Sequence, residues 1–526
     1  MVIGDLFSGG RPARDLPRLI IDEPAQFLRF CRAVLADYWG SYVAVRHHPG
    51  EQAPCCVYPE PMGMRDCVTW CHGGVRFLTC DPMRWLTTFP PRDLAIDLDE
   101  MAQLVAFPAA ITDARPLSGV TILEPGALSC LGAAGWRVER LWTPRNFTTS
   151  GTPPGDPAAL EQRVDDCLGA WSAVGGPAVI ELSGGLDSAM VAASAVRARI
   201  PIARAFTFFS DELSGDERRF SRAIAEHLDI KTTELMLAPG SVCRRAGSTA
   251  SIGIRPGLGA TSLFHDDRLA SEGQGLGAHM LLTGRGGDAV FFQHPTVAVA
   301  ADPWAPGQQR SRRRLEALAR WSQTSIWQVA APLWLPHLGG PNLADKKASR
   351  FAAEPKVWRP LDWPGSLKGL SPAKRMQILA IAQDRSAFGP SACSQAMRVI
   401  HPLLSQPLVE WALGQSIMTL TDGRRDRALA RAAYAGQLPA PVVTRPGKGA
   451  LGTFFGRALA LNVAALRSEL LEGRLADAGL INRARLEAVL DPDYLMREDC
   501  YSALLSLIVL ERWMQGWQDR LRLMSR

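Results

Sequence analysis

Apolar and polar positions alternate over residues 157–300 in a way that is typical of a parallel α/β sheet. Short apolar runs with the length of buried strands are separated by longer stretches with helical periodicity. The predicted order is a helix over 158–174, strands over 177–180 and 205–209, a helix ending near 228, a strand over 233–237, a helix near 262–272 and a strand over 279–283. The fold class that we predict is therefore α/β.

Two other regions flank this pattern. Residues 1 to about 145 consist of short strand-like runs and turns with some helix, including a hairpin around the turn 72–74. Helical periodicity dominates from about 305 onward. Turn-forming residues are concentrated at 147–156. We therefore predict a β-rich domain over 1–150 and a second domain over 151–526, which has an α/β core at 157–300 and a mainly helical part at 305–526.

A glycine turn follows the first strand of the α/β pattern. Its residues, followed by a helical pattern, are Glu181, Leu182, Ser183, Gly184, Gly185, Leu186, Asp187 and Ser188. A strand, a tight turn and a helix in this order direct backbone N–H groups and a helix N-terminus at one spot, which suits a phosphate. Asp187 has the wrong charge to bind a phosphate directly, so we expect it to hold a cation. The turn is not a Walker A loop, because no Gly-Lys-Ser/Thr follows.

A second glycine-rich loop ends the strand 279–283. It contains Thr283, Gly284, Arg285, Gly286, Gly287 and Asp288. Ligands of open parallel sheets collect beyond the carboxyl ends of the strands, so Asp187 and Asp288 are expected to face one cavity. Two carboxylates together with phosphate oxygens form the oxygen-rich coordination that Mg²⁺ prefers. The alternative for either aspartate alone is a helix cap or a turn residue.

Composition restricts the classes of partner. Lys and Arg number 58 and Asp and Glu 52, a net charge of +6, so the sequence does not favour a nucleic-acid partner. Apolar runs such as 502–510 are shorter than the ~18 residues that a membrane span requires. No signal-peptide pattern opens the sequence, so we expect a cytoplasmic protein. The 11 cysteines lack paired spacing, which predicts unpaired core cysteines instead of a disulfide framework or a metal site.

The segments SGGLDS (183–188) and TGRGGD (283–288) resemble the synthetase domain of the asparagine synthetase superfamily. The resemblance implies a PP-loop, HUP-like domain that binds ATP and Mg²⁺, with Asp187 and Asp288 as the metal ligands. It further implies that the remaining nucleotide contacts come from the two loops, from the second strand and from a later basic segment. These implied contacts are Leu182, Ser183, Gly184, Gly185, Ser188, Thr207, Thr283, Gly284 and Arg427. Lys448, before Gly449, resembles the family lysine that contacts the reacting acyl-phosphate.

Departures from the family pattern narrow the expected chemistry. Residues 1–150 resemble a degenerate class II glutaminase (Ntn-type) domain, but Val2 stands where the glutaminase has its nucleophilic cysteine. The resemblance then implies that the attacking amine belongs to the substrate itself. The β-lactam-forming members carry a tyrosine for proton transfer at the position of Arg285. Arginine stays protonated and does not act as a base, so we assign Arg285 to anchoring a carboxylate or phosphate.

Among family members, this chain most resembles the lasso peptide cyclases, which are similar to it in length and in having a degenerate N-terminal domain. This resemblance implies an ATP-dependent macrolactam synthetase that adenylates an Asp or Glu side chain of a precursor peptide. It also implies two partners, a leader-recognition protein and a leader protease. The alternatives are a β-lactam synthetase-like ligase for a small molecule and an inactive scaffold subunit. A tryptophan-rich stretch over 304–363 contains six tryptophans and basic runs at 312–314 and 346–347. These residues fit either a peptide-binding surface or an ordinary helical core whose surface is charged.

Overall fold

The computed structural model describes residues 1–13, 24–47, 55–132, 135–148, 155–212, 215–241, 253–257, 265–302, 312–334, 350–353, 361–447, 449 and 452–525. The fold is a mixed α/β structure with a β-rich N-terminal region, a parallel five-stranded sheet and a helical C-terminal part, as the sequence predicts. No helix in these described ranges is both long and apolar enough to span a membrane.

The N-terminal region contains an antiparallel six-stranded sheet with the strand order β11-β10-β4-β3-β1-β2, and two smaller sheets. The predicted hairpin around 72–74 is present as β5 and β6. The strands and helices are β1 Val2–Ser8, β2 Arg11–Pro12, α1 Pro24–Asp37, β3 Trp39–Arg46, β4 Cys56–Pro59, β5 Val68–His72, β6 Val75–Thr79, α2 Pro82–Leu86, β7 Ala95–Ile96, α3 Leu98–Ala106, β8 Leu117–Ser118, β9 Thr121–Ile122, β10 Ala127–Gly132 and β11 Gly135–Arg140.

One prediction about the cysteines is wrong. Cys56 in β4 and Cys130 in β10 lie opposite each other in the antiparallel sheet and form a disulfide. The two residues are 74 positions apart in the sequence. Sequence spacing therefore gave no indication of the pair, because the sheet register brings the two side chains together.

The second region is built on a parallel sheet with the strand order β14-β13-β12-β15-β16, in which β12 is central. The predicted strands and helices occur here with boundary shifts of a few residues. The elements are α4 Pro157–Ser172, β12 Ala178–Glu181, α5 Leu186–Arg197, β13 Ile202–Phe209, α6 Arg218–Leu228, β14 Thr232–Met236, α7 Asp266–Gly275, β15 Met280–Thr283, α8 Gly287–Val290 and β16 Arg398–Ile400.

The C-terminal part is mainly helical, as predicted, with one exception. Strand β16 pairs in parallel with β15, so residues far beyond 300 complete the sheet. The helices are α9 Arg312–Trp321, α10 Ile326–Trp334, α11 Pro372–Asp384, α12 Ala392–Ala396, α13 Gln406–Gly414, α14 Ile417–Thr421, α15 Ala428–Ala433, α16 Ala440–Thr444, α17 Gly452–Leu461, α18 Val463–Leu471, α19 Arg474–Asp477, α20 Arg483–Val489, α21 Pro492–Arg497 and α22 Tyr501–Met524.

The N-terminal and C-terminal regions share a hydrophobic core. Trp142 follows β11, and its indole N–H donates to Glu410 of α13 at 2.6 Å. Trp363 is buried, and its indole N–H donates to the carbonyl of Pro61 at 2.8 Å. Both tryptophans belong to the same buried cluster as the central strand β12. This packing places the N-terminal sheets against the domain that carries the two glycine loops.

Candidate active site

The first glycine loop connects β12 to α5 at the carboxyl edge of the parallel sheet. Gly184 has φ +77°, and a Cβ atom there would come within 2.9 Å of the carbonyl of Glu217. The hydroxyl of Ser188 accepts from the N–H of Ser183 at 3.2 Å and donates to the carbonyl of Gly185 at 3.2 Å. Gly185 is the N-cap of α5 and provides no side-chain cap. The first-turn N–H groups of this helix are therefore suited to an anionic ligand.

The neighbouring strand β13 supports this loop from behind. Thr207 is buried, and its hydroxyl donates to the carbonyl of Leu182 at 2.8 Å. The N–H of Leu182 in turn donates to the carbonyl of Phe206 at 2.8 Å. Leu182 and Thr207 were both candidates for nucleotide contact. In the structure they hold the loop on the sheet.

The second glycine loop packs directly on the first. A Cβ atom on Gly284 would lie 2.4 Å from the backbone nitrogen of Ser188, and one on Gly287 would lie 2.4 Å from Oδ1 of Asp187. Because neither glycine has a side chain, the loop after β15 reaches the start of α5. This contact brings Asp187 and Asp288 to the same side of the sheet, as the sequence predicts.

Arg427 joins the two aspartates. Its Nη1 lies 2.5 Å from Oδ2 of Asp187 and also contacts Oδ1 of Asp288. The side chains of Arg427 and Asp187 are only 4% and 7% exposed, whereas that of Asp288 is 37% exposed. Asp426 accepts from Nη2 of Arg427 at 2.8 Å and from Nη2 of Arg431 at the same distance. Three carboxylates and two guanidinium groups thus form one cluster where the two glycine loops meet.

The carboxylates of this cluster keep Arg427 charged. Burial by itself lowers the pKa of Arg427, but Asp187 and Asp288 outweigh this effect and hold that pKa above its ordinary value. Two carboxylates at one place repel each other and require a nearby cation. The guanidinium of Arg427 supplies one such charge.

The basic segment after α16 approaches the first glycine loop from the other side. Arg445 donates to Glu217 at 2.5 Å and to the carbonyl of Gly184 at 3.2 Å, and its guanidinium lies over the ring of Phe220. The N–H of Gly449 donates to the same Glu217 carboxylate at 2.5 Å. Lys448 itself lies outside the described residues. Arg445, three residues before it, and Gly449, directly after it, both contact Glu217 next to the first glycine loop.

Arg285 introduces a fixed positive charge at the sheet edge. Its N–H donates to the hydroxyl of Thr283 at 3.2 Å. Glu181, the last residue of β12, lies 3.5 Å from Nε2 of His265. Burial opposes ionisation of Glu181, but the contact with His265 and the charge of Arg285 lower the pKa of this carboxyl to about 2. Glu181 is therefore ionised and a poor proton acceptor.

Comparison with known proteins identifies the family of this chain. The asparagine synthase family model matches residues 159–515, which is more than half of the chain. The chain belongs to the asparagine synthase family. This family consists of ATP-dependent, amide-forming ligases that typically use Mg²⁺. No curated protein matches the sequence.

The donor set of the site fits the ATP and Mg²⁺ that the family uses. Mg²⁺ is commonly bound by one or two carboxylates, water and substrate phosphates, and here Asp187 and Asp288 supply two convergent carboxylates. Among the described residues, no three acidic, histidine or cysteine side chains are placed so that they could hold one metal ion together, so these residues form no all-protein metal cage. Asp187 and Asp288 would hold the Mg²⁺, which would neutralise negative charge on the ATP phosphates.

The tryptophan-rich stretch of this asparagine synthase family member is mostly core where it is described. Trp363 is buried and Trp321 packs against the main core, as the structural alternative predicts. Trp327 is different, because 80% of its surface is exposed. The side chains of Trp304, Trp334, Trp358, Lys346 and Lys347 lie outside the described residues.

Sequence reasoning missed His401, which supports the second loop. Its Nδ1 accepts from the hydroxyl of Thr283 at 2.7 Å, while its Nε2 donates to the carbonyl of Ala387 at 3.1 Å. Burial lowers the pKa of His401 to about 4, against the opposing effect of the Ala387 hydrogen bond. A neutral imidazole therefore holds Thr283. A histidine before Pro402 gives no sequence signal for this role, because residues 118 positions apart make the contact.

His401 should make the stability of the fold sensitive to acid. Its folded-state pKa lies below the ordinary value, so the unfolded chain takes up a proton first as the pH falls. Stability is then lost between about pH 6.5 and pH 4, by about 2 kcal/mol at pH 5. We expect this loss in urea unfolding of the wild type, and we expect it to be absent in His401→Asn. Equal pH dependence in both proteins would contradict the assignment.

Proposed function

We propose that this asparagine synthase family member is a lasso peptide macrolactam synthetase. It adenylates an Asp or Glu side chain of a precursor peptide, and the freed N-terminal amine of the same peptide then closes an isopeptide ring. The ligase chemistry follows from the family. The restriction to a peptide substrate is supported mainly by Arg285, which occupies the position where the small-molecule ring formers carry a proton-transferring tyrosine and whose positive charge lowers the pKa of Glu181.

The proposed reaction divides into two steps. A carboxylate oxygen of the peptide attacks the α-phosphorus of ATP, the bond from that phosphorus to the bridging oxygen breaks, and pyrophosphate leaves. The deprotonated amine then attacks the acyl carbon, the bond to AMP breaks, and the nitrogen loses its second proton to a base. Correct alignment of amine and acyl carbon contributes roughly 7–11 kcal/mol to such reactions.

The residues of this chain have separate parts in that scheme. The N–H groups after Gly185 and the charges of Arg427 and Lys448 bind phosphate oxygens, and Asp187 and Asp288 hold the magnesium that accompanies them. Arg285 anchors a carboxylate or phosphate. The N-terminal region, 1–150, is a degenerate glutaminase-like domain, and a leader-recognition protein and a leader protease deliver the processed peptide.

A reconstituted reaction tests this proposal. The full chain is incubated with Mg²⁺, ATP, the two partner proteins and a precursor peptide that has glycine at its core start and an Asp or Glu further on. We expect AMP, pyrophosphate and a core peptide that has lost the mass of one water. A peptide with Asn or Gln at the acceptor position serves as the matched control and should give none of these products.

Other outcomes would redirect the assignment. Absence of AMP with the processed peptide contradicts the macrolactam proposal. AMP formation with a small amino acid derivative, but not with the peptide, favours the β-lactam synthetase-like alternative. A scaffold subunit would keep its cellular function after Asp187→Ala, whereas an enzyme would lose it.

A further inference from the structure

The position of Arg427 has a consequence for metal binding. One nitrogen of its guanidinium lies between Asp187 and Asp288, so a protein cation stands where the two carboxylates would hold a divalent ion. Two cations cannot share this place, because a guanidinium and Mg²⁺ a few ångströms apart repel each other strongly at a buried site. Entry of one requires displacement of the other.

The backbone around Arg427 is built to present this side chain. Arg427 has φ +48° and Phe292 has φ +64°, and the N–H of Arg427 donates to the carbonyl of Phe292 at 3.3 Å. Left-handed backbone is unfavourable for both residue types and persists where other contacts determine it. Phe292 follows α8, the helix that carries Asp288. The strained pair therefore ties the arginine to the second glycine loop.

Asp426 leaves one end of the guanidinium available. It accepts from Nε and Nη2 of Arg427, at 2.9 and 2.8 Å, while Nη1 alone reaches Asp187 and Asp288. Because the guanidinium is a rigid plane, Nη1 moves only with the whole group. A pivot of this group about the Asp426 carboxylate would carry Nη1 from Asp187 and Asp288 toward a phosphate oxygen and keep Asp426 as its partner. Arg431, whose Nη2 contacts the same oxygen Oδ2 of Asp426, helps to keep that anchor in place.

We propose that Arg427 and the divalent cation compete for the Asp187–Asp288 pair, so that the metal binds tightly only together with the nucleotide phosphates that accept Arg427. The metal and its nucleotide are then taken up as one unit, and free Mg²⁺ is bound weakly. This inference rests on the nucleotide site of the proposed function, and it adds a restriction on the order in which that site is filled.

Direct metal binding tests the competition without any peptide. Mn²⁺ is titrated into the full chain without nucleotide, and its bound fraction is followed by electron paramagnetic resonance. We expect weak binding to the wild type and one site of at least roughly tenfold higher affinity in Arg427→Gln, since a cation next to the carboxylates is removed. Mg²⁺ should displace the Mn²⁺, and adding Asp187→Asn to Arg427→Gln should abolish the site.

Arg427→Lys is the matched control, because it keeps the positive charge. Its Mn²⁺ affinity should stay near that of the wild type, while both variants should bind Mg·ATP more weakly. Tight binding of one Mn²⁺ to the wild type overturns the inference, and so does an Arg427→Gln affinity no higher than that of Arg427→Lys. If Arg427→Gln fails to fold, the wild type and Arg427→Lys still test the competition. Both must bind free Mn²⁺ weakly, and tight binding by either protein overturns the inference.

Different results contradict the proposed function and the competition between Arg427 and the metal. A wild-type protein that does not bind Mg·ATP contradicts the proposed function. A wild-type protein that binds Mg·ATP, and also binds free Mn²⁺ tightly, contradicts only the competition.

Discussion

Asp187→Asn should reduce ATP-dependent pyrophosphate release by roughly 100-fold or more, the largest effect that we expect from a single isosteric change. The substitution keeps the shape of the side chain but removes one of the two carboxylate charges that we propose to hold the magnesium of Mg·ATP. It also leaves Arg427 with a neutral partner in place of a buried carboxylate 2.5 Å away. Release of pyrophosphate is measured with the processed peptide, and binding of Mg·ATP is measured by calorimetry.

Asp165→Asn provides the control for this variant. Asp165 is also paired with an arginine, Arg197, at 2.7 Å, but it lies on α4, away from the glycine loops. This variant should keep both nucleotide binding and turnover close to wild type. If folded Asp187→Asn protein still turns over at the wild-type rate, the assignment of Asp187 to the active site is wrong.

Gly287→Ala should lower the same activity by roughly 100-fold, although it adds only one methyl group outside the reacting atoms. The new Cβ atom would lie 2.4 Å from Oδ1 and 2.5 Å from Cγ of Asp187. Contacts this short force the carboxylate to move. The backbone of Gly287 is helical and accepts alanine without strain, so the protein should fold. Turnover and Mg·ATP affinity are both expected to fall.

Gly275→Ala is the matched control. Gly275 ends the helix α7, and a Cβ atom there would have no neighbour within 4 Å. This change should leave activity unaltered. Wild-type activity in Gly287→Ala would mean that the position of the Asp187 carboxylate does not matter for the reaction.

Local sequence patterns were sufficient for most of the parallel sheet. The strands β12, β13, β14 and β15 follow from short apolar runs, and the glycine loops follow from their place at strand ends. Strand β16 was missed, because three residues, Arg398–Ile400, are too short to show a period within a helical region. The disulfide between Cys56 and Cys130 was missed because antiparallel register, not spacing, creates it.

The candidate site divides in the same way. The sequence predicts Asp187 and Asp288 as neighbours, because carboxyl ends of adjacent parallel strands meet at one edge. It does not predict that the hydroxyl of Thr207 binds the carbonyl of Leu182 and so holds the first glycine loop on the sheet. Nor does it predict that Arg445 and Gly449 both donate to Glu217, beside Gly184. The contacts of Glu217 and Gly184 with the basic segment join residues more than 200 positions apart in the sequence. The contact of Thr207 with Leu182 joins neighbouring strands.

By itself, the sequence determined the α/β class, the two glycine loops and the family of ATP-dependent ligases, since these depend on local periodicity and on short motifs. Only the tertiary structure decided which cation stands between the aspartates. Arg427 reaches Asp187 from 240 positions away, and its place depends on the backbone of Phe292 and on the anchor of Asp426. Long-range packing sets such contacts, and no local pattern encodes them.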